Sequence, residues 1–347
     1  MEQRRPTIYD IAKFAGVSHM TVSRYLTFNG ARTRAVPRER IRRAIAELDY
    51  RPNLAARALR TNRTGRLAIV FPAGNAISSI HMLTGATEAA TDAGYHIDAI
   101  TLAGSSDERS ARVLELAEAG LFEGLLALTP LAADRQAQIA SRVPVVVGAE
   151  YDDEMRGIGD LADASPVGEI IETLAGLGHR SFLHIAGDRA YTTVRSREQA
   201  FLETVHRLDL ESGGVVGGDW NGESGRRAIL DLPDNTPVTA VIAANDVLAA
   251  AAIYAALERG WRVPEDLSVS GWDNSPVGEW LPPTLTSVKI DYEELGRRSM
   301  AKLLANMRGE AEPTYSNPVA SVVWRKSTGP APLRADEEPQ ELTRPAQ

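Results

Sequence analysis

A short polar segment near the amino terminus carries side chains whose types and spacing suggest a specific chemistry. His19 can donate or accept hydrogen bonds, Met20 presents an apolar thioether, and Arg24 follows Met20 by one helical turn. Arginine matches the two acceptors on the major-groove edge of guanine, and an apolar side chain can contact the methyl group of thymine. These residue types together are therefore suited to contacting the edges of DNA bases.

Two short helices joined at a glycine are predicted to position these side chains. Thr7 is placed to cap the first helix, Gly16 to end it and Ser18 to cap the second. Pro37 suits the first position of a third helix over residues 38–48. Apolar residues recur at helical spacing and would pack the three helices together: Ile8, Ile11, Ala12, Ala15, Val22, Leu26, Ile41, Ala44, Ile45 and Leu48. The pattern is typical of a helix-turn-helix, whose second helix enters the major groove. An ordinary helical hairpin is the alternative interpretation.

The distribution of charge supports the same interpretation. The whole chain is acidic, with 38 basic and 46 acidic residues. Residues 1–66 nevertheless hold 15 Lys and Arg against 5 Asp and Glu, so the remainder is strongly acidic. Clustered basic side chains neutralise phosphates and release counterions. We therefore expect the amino-terminal segment to bind DNA with a strong dependence on salt.

Composition excludes several classes of protein. The 347 residues are 44% hydrophobic and include no cysteine, so disulfides, thiolate metal sites and cysteine nucleophiles are excluded. We expect a cytoplasmic protein, because the chain has no apolar signal segment and no long apolar run. Six histidines show no spacing typical of a metal site, and no Gly-x-Ser-x-Gly motif is present. No enzyme activity, cofactor or metal is therefore expected.

From residue 66 onward, short apolar runs alternate with longer helical stretches, which is typical of parallel α/β folding. The alternation restarts after residue 160, so two doubly wound lobes in tandem are predicted. Residues 282–289 are interpreted as a return crossing between the lobes, followed by a helix over 292–307. A small ligand would lie in a cleft between the carboxyl ends of the two sheets.

A basic linker joins the amino-terminal segment to the lobes. Asn53 can cap a short helix that ends at Leu59, and this helix is too short to be stable in isolation. An apolar residue on such a helix could wedge between base steps from the minor groove, and Leu59 is suitably placed. A plain linker whose leucine contacts the lobes is the alternative.

Taken together, these stretches resemble the lactose and galactose repressor family of bacterial transcription regulators over nearly the whole chain. The resemblance rests on these segments: Tyr9-Asp10-Ile11-Ala12, Gly16-Val17-Ser18, Thr21-Val22-Ser23-Arg24, Tyr50-Arg51-Pro52-Asn53, Asn245-Asp246, Val263-Pro264-Glu265-Asp266-Leu267-Ser268-Val269, Gly271-Trp272-Asp273 and Leu285-Thr286-Ser287-Val288. It implies a homodimer that binds near-palindromic operator DNA and changes its operator affinity when a sugar or other metabolite binds. It also implies a body like that of periplasmic binding proteins.

The resemblance also assigns candidate residues. The expected DNA contacts are Thr7, Tyr9, Ser18, His19, Met20, Thr21, Ser23, Arg24, Asn53, Ala56 and Leu59. The expected effector contacts are Ser78, Arg197, Trp220, Asn245, Asp273 and Tyr292. Three of these effector contacts have a structural alternative: Trp220 could simply pack a loop, Asn245 could cap a helix and Arg197 could be a solvated helix residue. Leu128 and Ala149 replace polar groups that often hold the sugar in the family.

The predicted organisation has five parts: a helix-turn-helix head over 1–50, a hinge over 51–65, a first lobe over 66–160 and 290–319, a second lobe over 161–289 and 320–328, and a disordered tail over 329–347. The leading hypothesis is a repressor of sugar-utilisation genes that a glycoside releases. A regulator co-repressed by a purine or another non-sugar ligand remains the alternative. A sugar-binding transport receptor is the alternative from another class, and the basic head argues against it.

Overall fold

The computed structural model describes residues 6–27, 30–50, 63–72, 76–148 and 158–332. They fall into two compact units, one of residues 1–66 with 121–123 and the other of the remaining residues. The α-helices are α1 (Ile8–Ala15), α2 (His19–Thr27), α3 (Ala35–Glu47), α4 (Ala76–Asp92), α5 (Ser106–Glu118), α6 (Ala133–Ala140), α7 (Ser165–Gly176), α8 (Thr192–Arg207), α9 (Gly222–Leu230), α10 (Asp246–Glu258) and α11 (Tyr292–Arg308). The strands are β1 (Arg66–Pro72), β2 (His96–Leu102), β3 (Gly124–Ala127), β4 (Val145–Val147), β5 (Ser181–Ala186), β6 (Glu211–Gly217), β7 (Ala240–Ala243), β8 (Ser268–Trp272), β9 (Thr286–Ile290) and β10 (Ala320–Val323). Within the described ranges, no helix combines the length and apolar character needed to cross a membrane.

The first unit contains the predicted trio of helices. Thr7 and Asp10 form a reciprocal capping box at the start of α1, and Gly16 ends the helix with a φ of 61°. The side chain of Ser18 accepts a hydrogen bond from the backbone N–H of Thr21 at 3.2 Å, which caps α2. The core of the unit consists of Ile11, Ala12, Ala15, Val22, Ile41 and Ala44. Sequence spacing therefore predicted both helix starts and the core correctly.

The third helix begins earlier than predicted. α3 starts at Ala35, and Pro37 is the third residue of its first turn. A proline is compatible with this place because the N–H groups of a first helical turn have no intrahelical acceptor. The prediction of Pro37 at the first position was therefore wrong by two residues.

The second unit contains two sheets. The first has the strand order β2-β1-β3-β4, and the second has the order β10-β9-β8-β7-β5-β6. The pairs β1–β3 and β3–β4 of the first sheet are parallel, as are β6–β5–β7–β8–β9 of the second. The edge strand β10 runs antiparallel to β9. Two parallel α/β sheets in tandem match the predicted architecture, with β10 as an antiparallel addition.

The central strands β5 and β7 of the second sheet are buried along their whole length, as is typical of parallel strands that are covered on both faces. Phe182 and Ile242 belong to a core cluster that also contains residues of the first sheet. Leu183 and Val241, the neighbours of these residues in sequence, belong to a separate cluster on the opposite face. Side chains of a strand alternate between faces, so β5 and β7 each contribute to two cores.

α4 and α11 pack closely against each other beside the first sheet. A Cβ atom on Gly85 of α4 would overlap the backbone carbonyl of Glu293, and one on Gly296 of α11 would overlap the carbonyl of Met82. Only glycine permits this approach of the two helix backbones. The helix predicted over 292–307 is therefore held against the first half of the unit.

Two further predictions need correction. The prediction of a crossing between lobes over residues 282–289 is wrong for its second half, because residues 286–290 form β9, which pairs with β8 and β10 in the second sheet. The tail predicted to be disordered from residue 329 begins in ordered backbone. The carbonyl oxygen of Gly329 lies 3.0 Å from His179 Nε2, and the N–H of Ala331 donates to the Leu177 carbonyl at 3.0 Å. Residues 333–347 lie outside the described part of the chain.

Candidate functional site

The first unit presents a polar helix end on its surface. His19, Met20 and Arg24 are all exposed, and Met20 is 65% exposed although it is apolar. Tyr9 lies beside them, with its ring centroid 5.2 Å from that of His19. α2 begins at His19, so His19 and Met20 project from its first turn. This is the part of a recognition helix that reaches base edges.

The remaining predicted DNA contacts differ in availability. The side chains of Thr7 and Ser18 act in the caps of α1 and α2, and Ser18 Oγ lies 2.9 Å from Thr21 Oγ1. Caps of this kind also fix the orientation of the helix ends. Ser23 is half-buried on α2. Asn53, Ala56 and Leu59 lie outside the described residues.

The described residues of the first unit carry more basic than acidic side chains. The exposed basic ones include Lys13, Arg24, Arg34, Arg38, Arg40, Arg42 and Arg43, of which Arg43 lies 3.9 Å from Glu47. Arg42 is paired with Glu39, and this exposed hydrogen-bonded pair lowers the pKa of Glu39. The remaining positive charge is suited to the phosphates of a duplex.

A second group of predicted residues lies at the carboxyl edge of the second sheet. Parallel strands end at the same edge, and the order β6-β5-β7-β8 brings four strand ends side by side. Trp220 follows β6, Asn245 follows β7 and Asp273 follows β8. The ends of β6 and β8 are three inter-strand spacings apart, which is about 14 Å. Ligands of open α/β sheets bind at this edge.

Arg197 lies within this edge and is buried, so its interpretation as a solvated helix residue was wrong. It projects from α8 and donates from Nη1 to the Ala244 carbonyl at 2.6 Å. Its guanidinium carbon lies 3.9 Å from the centroid of the Trp272 ring. Burial lowers the pKa of Arg197 to about 10, and the nearby Asp273 and Tyr292 act in the opposite direction. The side chain is thus a fixed cation at neutral pH.

Asp273 provides the opposite charge. Its φ is 98°, an unusual conformation for a residue other than glycine, and its N–H donates to the Val288 carbonyl at 2.9 Å. The side chain remains open to water. Surrounding protein atoms nevertheless remove much of its hydration and raise its pKa to about 6, while Arg197 opposes this shift. Asp273 can therefore accept hydrogen bonds from a ligand at neutral pH.

Asn245 and Tyr292 complete the polar part of the edge. Asn245 Oδ1 accepts a hydrogen bond from the N–H of Leu248 at 2.9 Å, so the predicted cap of α10 is confirmed. That bond uses the oxygen of the side-chain amide, so the amide nitrogen can still donate hydrogen bonds to a ligand. Tyr292 is the first residue of α11 and lies close enough to Arg197 to raise the pKa of its guanidinium against the lowering effect of burial. Ser78 lies in α4, but its side chain is outside the described part of the structure.

Trp220 is half-buried at the β6 end of the edge. Its ring meets that of Tyr191 edge-on, with the centroids 5.5 Å apart and the planes at 84°. A Cβ atom on Gly187 would overlap the indole, so the ring lies directly over this glycine. The loop-packing role considered for Trp220 is therefore present. It also holds the ring in a fixed orientation, as a platform for a sugar would require.

Two residues that contribute to this edge were not assigned a role from the sequence. Trp272 is 2% exposed and provides the aromatic face beneath Arg197. Asp246 is 4% exposed and accepts hydrogen bonds from Ser275 and Ser287. The available signal was the acid directly after the capping Asn245, because a charged residue at the end of a buried strand needs partners.

Two family models match the chain. Residues 7–53 match the bacterial regulatory proteins of the lacI family, and residues 171–328 match the periplasmic binding protein-like domain. These ranges contain the exposed helix end and the carboxyl edge of the second sheet, respectively.

Several characterised proteins are similar over nearly their full length. The transcriptional regulator CelR of Thermobifida fusca is 31% identical over 322 residues, which cover 89% of this chain and 94% of CelR. The lactose operon repressor of Escherichia coli K12 is 28% identical over 338 residues, covering 93% and 90%. The repressor PurR of Yersinia pestis is 30% identical over 345 residues, covering 94% and 98%.

Solved structures show the same similarity. The lac repressor dimer bound to operator and the anti-inducer ONPF superposes with a TM-score of 0.68 at 26% identity, covering 94% of this chain and 99% of that one. The complex of CelR with cellobiose has a TM-score of 0.54 at 28% identity, covering 93% and 100%. The similarity thus extends over both the head and the two sheets.

Proposed function

The chain belongs to the LacI family of bacterial regulatory proteins and is a ligand-responsive, DNA-binding transcriptional regulator; we propose that it represses sugar-utilisation genes and leaves its operator when a glycoside binds. The single observation that carries the effector assignment is the carboxyl edge of the second sheet. There Asp273 follows β8, Trp220 follows β6, and the buried Arg197 of α8 donates to the Ala244 carbonyl after β7, which lies between those two strands.

DNA recognition is assigned to the first turn of α2. His19 and Met20 are exposed at the helix start, and Arg24 lies one turn further along. We infer that His19 and Met20 choose the operator, with Arg24 contacting a base or the backbone. Tyr9 lies close to His19 and would limit the positions that its imidazole can adopt.

Selection from a randomised duplex pool tests the DNA assignment. The wild-type protein should select a near-palindrome whose half-sites are about one helical turn apart, because two heads of a homodimer are related by symmetry. His19→Ala should lose preference at the base pair that His19 contacts, at a cost of about 1–3 kcal/mol. Arg227→Ala, an exposed basic residue of α9, is the control and should select the same sequence as the wild type. An unchanged sequence logo for His19→Ala would contradict the assignment.

Homodimer formation is part of the proposal. The second unit has large apolar side chains on its surface. They include Val247, Tyr254 and Leu257 of α10, and also Trp280. Exposed apolar groups of this size are typical of interaction surfaces. The similar lac repressor was solved as a dimer on its operator.

The chemistry of the effector site favours a glycoside. Charged acceptors and donors such as Asp273 and Arg197 suit neighbouring hydroxyl groups. An aromatic face such as that of Trp220 suits the C–H groups of a pyranose ring. The span of about 14 Å between the ends of β6 and β8 is long enough for a disaccharide. The similar CelR was solved with cellobiose.

A ligand screen by thermal shift tests the effector assignment. The panel should include monosaccharides, disaccharides such as cellobiose and lactose, phosphorylated sugars and purine bases. A ligand at about 100 times its Kd stabilises the folded state by roughly 2.7 kcal/mol, which a thermal shift detects. Trp220→Ala should weaken glycoside binding about tenfold, because the loss of one aromatic contact costs up to about 1.5 kcal/mol of binding free energy. Trp220→Phe, which keeps an aromatic face, should lose less affinity. Trp324→Ala, another partly exposed tryptophan, is the control.

Either of two results would overturn the glycoside assignment. One is that no sugar stabilises the protein, and the other is that a sugar binds Trp220→Ala as tightly as it binds the wild type. Stabilisation by a purine base would support co-repression by a purine instead, a second candidate that the similarity to PurR favours.

A basic DNA-binding head has no role in a transport receptor or an enzyme, so it argues against both of these classes. We propose that the protein acts in the cytoplasm, where its DNA lies.

A further inference from the structure

The turn that carries Asp273 adopts an unusual backbone conformation. Asp273 and the following Asn274 both have positive φ, at 98° and 46°. Two consecutive residues other than glycine in this region place strain on the backbone. Such a turn persists only where its surroundings hold it in place.

Asp246 provides that restraint from the first position of α10. Its Oδ2 accepts a hydrogen bond from the N–H of Ser275 at 2.5 Å. Its carboxylate also lies against the amino end of the turn, where the backbone of Trp272 helps to lower its pKa against the raising effect of burial. Asp246 therefore holds the Ser275 end of the segment that carries Asp273 and packs against the other end.

The restraint continues into the neighbouring strand. Ser287 of β9 donates from Oγ to Asp246 Oδ1 at 2.5 Å and accepts from the N–H of Asn274 at 3.0 Å. Arg325 donates to Asn274 Oδ1 at 2.7 Å. A Cβ atom on Gly271 would overlap Asp246 Oδ1, so the carboxylate also requires a glycine at the end of β8.

Asp246 is costly to bury, which argues against a merely passive role. It is 4% exposed, and burial raises its pKa while the bonds from Ser287 and Ser275 oppose the shift. Helix α10 has its capping side chain in Asn245, so the cap does not depend on Asp246. The backbone of the turn is the group that this carboxylate satisfies.

We propose that Asp246 is a positioning residue for effector binding: by holding the turn from Trp272 to Ser275, it fixes the carboxylate of Asp273 and the aromatic surface under Arg197 in the arrangement that a ligand meets. The proposal rests on the proposed function for its ligand, but the restraint itself is a property of the unliganded protein. Asp246 acts through Asp273 and does not itself contact the effector.

Hydrogen exchange of the unliganded full-length protein tests the restraint. Asp246→Ala removes the acceptor of the Ser275 N–H and of the Ser287 hydroxyl, so exchange of the segment 271–276 should accelerate at least tenfold. Asp246→Asn retains one acceptor oxygen, so it should accelerate exchange of this segment less than Asp246→Ala does. It also keeps the test informative if the alanine variant does not fold. Ala255→Gly is the control, because it weakens α10 at a buried position nine residues away from Asp246. Unchanged exchange of this segment in both Asp246 variants would overturn the proposal.

A double-mutant cycle with cellobiose as the probe tests the route of action. Asp246→Ala should weaken cellobiose binding about tenfold in the wild-type background and less than twofold in the Asp273→Asn background, because coupled residues are non-additive. Equal losses in both backgrounds would overturn the proposal, because Asp246 would then act independently of Asp273. If cellobiose does not bind the wild type, the glycoside assignment fails for this sugar, and the exchange experiment alone decides the role of Asp246.

Discussion

Replacing Arg197 by methionine is expected to weaken effector binding about a hundredfold, because a desolvated, charge-assisted hydrogen bond contributes up to about 3 kcal/mol to the binding free energy. Arg197 is buried, and its guanidinium is fixed by the Ala244 carbonyl and by the Trp272 ring. A ligand therefore meets a donor that loses little entropy on binding. Titration calorimetry with the sugar identified in the screen measures the loss.

Two further variants separate the site from the fold. Arg197→Lys keeps the charge but loses the planar group that stacks on Trp272, so an intermediate affinity is expected. Arg207→Met removes an exposed arginine from the far end of the same helix, where it is paired with Glu172, and should bind as the wild type does. Wild-type affinity in Arg197→Met would show that the ligand does not use this edge of the sheet.

The second large effect concerns pH and the stability of the fold. His184 lies on β5 with no exposed surface, stacks on Phe201 at 5.4 Å and has one ring nitrogen 2.8 Å from the Ile242 carbonyl. Burial lowers its pKa from 6.5 to about 4. The unfolded chain therefore takes up a proton between pH 6.5 and 4 that the folded protein does not, and stability falls as pH falls through this window.

The expected loss from His184 is about 3 kcal/mol at pH 4 relative to pH 7, since one pKa unit corresponds to about 1.4 kcal/mol. Urea unfolding across this pH range should show a smaller loss for His184→Gln, whose amide does not titrate. Burial also lowers the pKa of His179, so the difference between the wild type and His184→Gln is the quantity that isolates His184. His206→Gln on the exposed side of α8 is the control. Identical pH profiles for the wild type and His184→Gln would refute the assignment.

Local signals in the sequence were sufficient for the helix ends. Thr7, Ser18 and Asn245 each cap the helix that their position predicted. Capping depends on residues three or fewer positions away, and such short-range geometry is encoded directly in the chain. The start of α3 was missed because its cap residue, Arg34, makes no side-chain hydrogen bond to the helix.

Contacts between distant parts of the chain could not be predicted in this way. Ser287 and Asp246 are 41 residues apart in sequence, and Arg197 is 47 residues from its acceptor, Ala244. The pattern around Arg197 is equally compatible with an exposed helix face. Only the packing of α8 on the second sheet decides that its guanidinium lies against Trp272.

The sequence by itself determined the basic head, the alternation of strands and helices, and the residue types that follow the strands of the second sheet, because these depend on periodicity, capping and local charge. The family followed from the resemblance of its motifs to those of a known family. The tertiary structure alone decided which of those residues are buried and paired. Burial and pairing set the pKa of Asp273 and His184, fix Arg197 on Trp272 and give Asp246 its hold on a strained turn. Each of these depends on strands and helices from different parts of the chain meeting at one place, and a linear pattern contains no such distances.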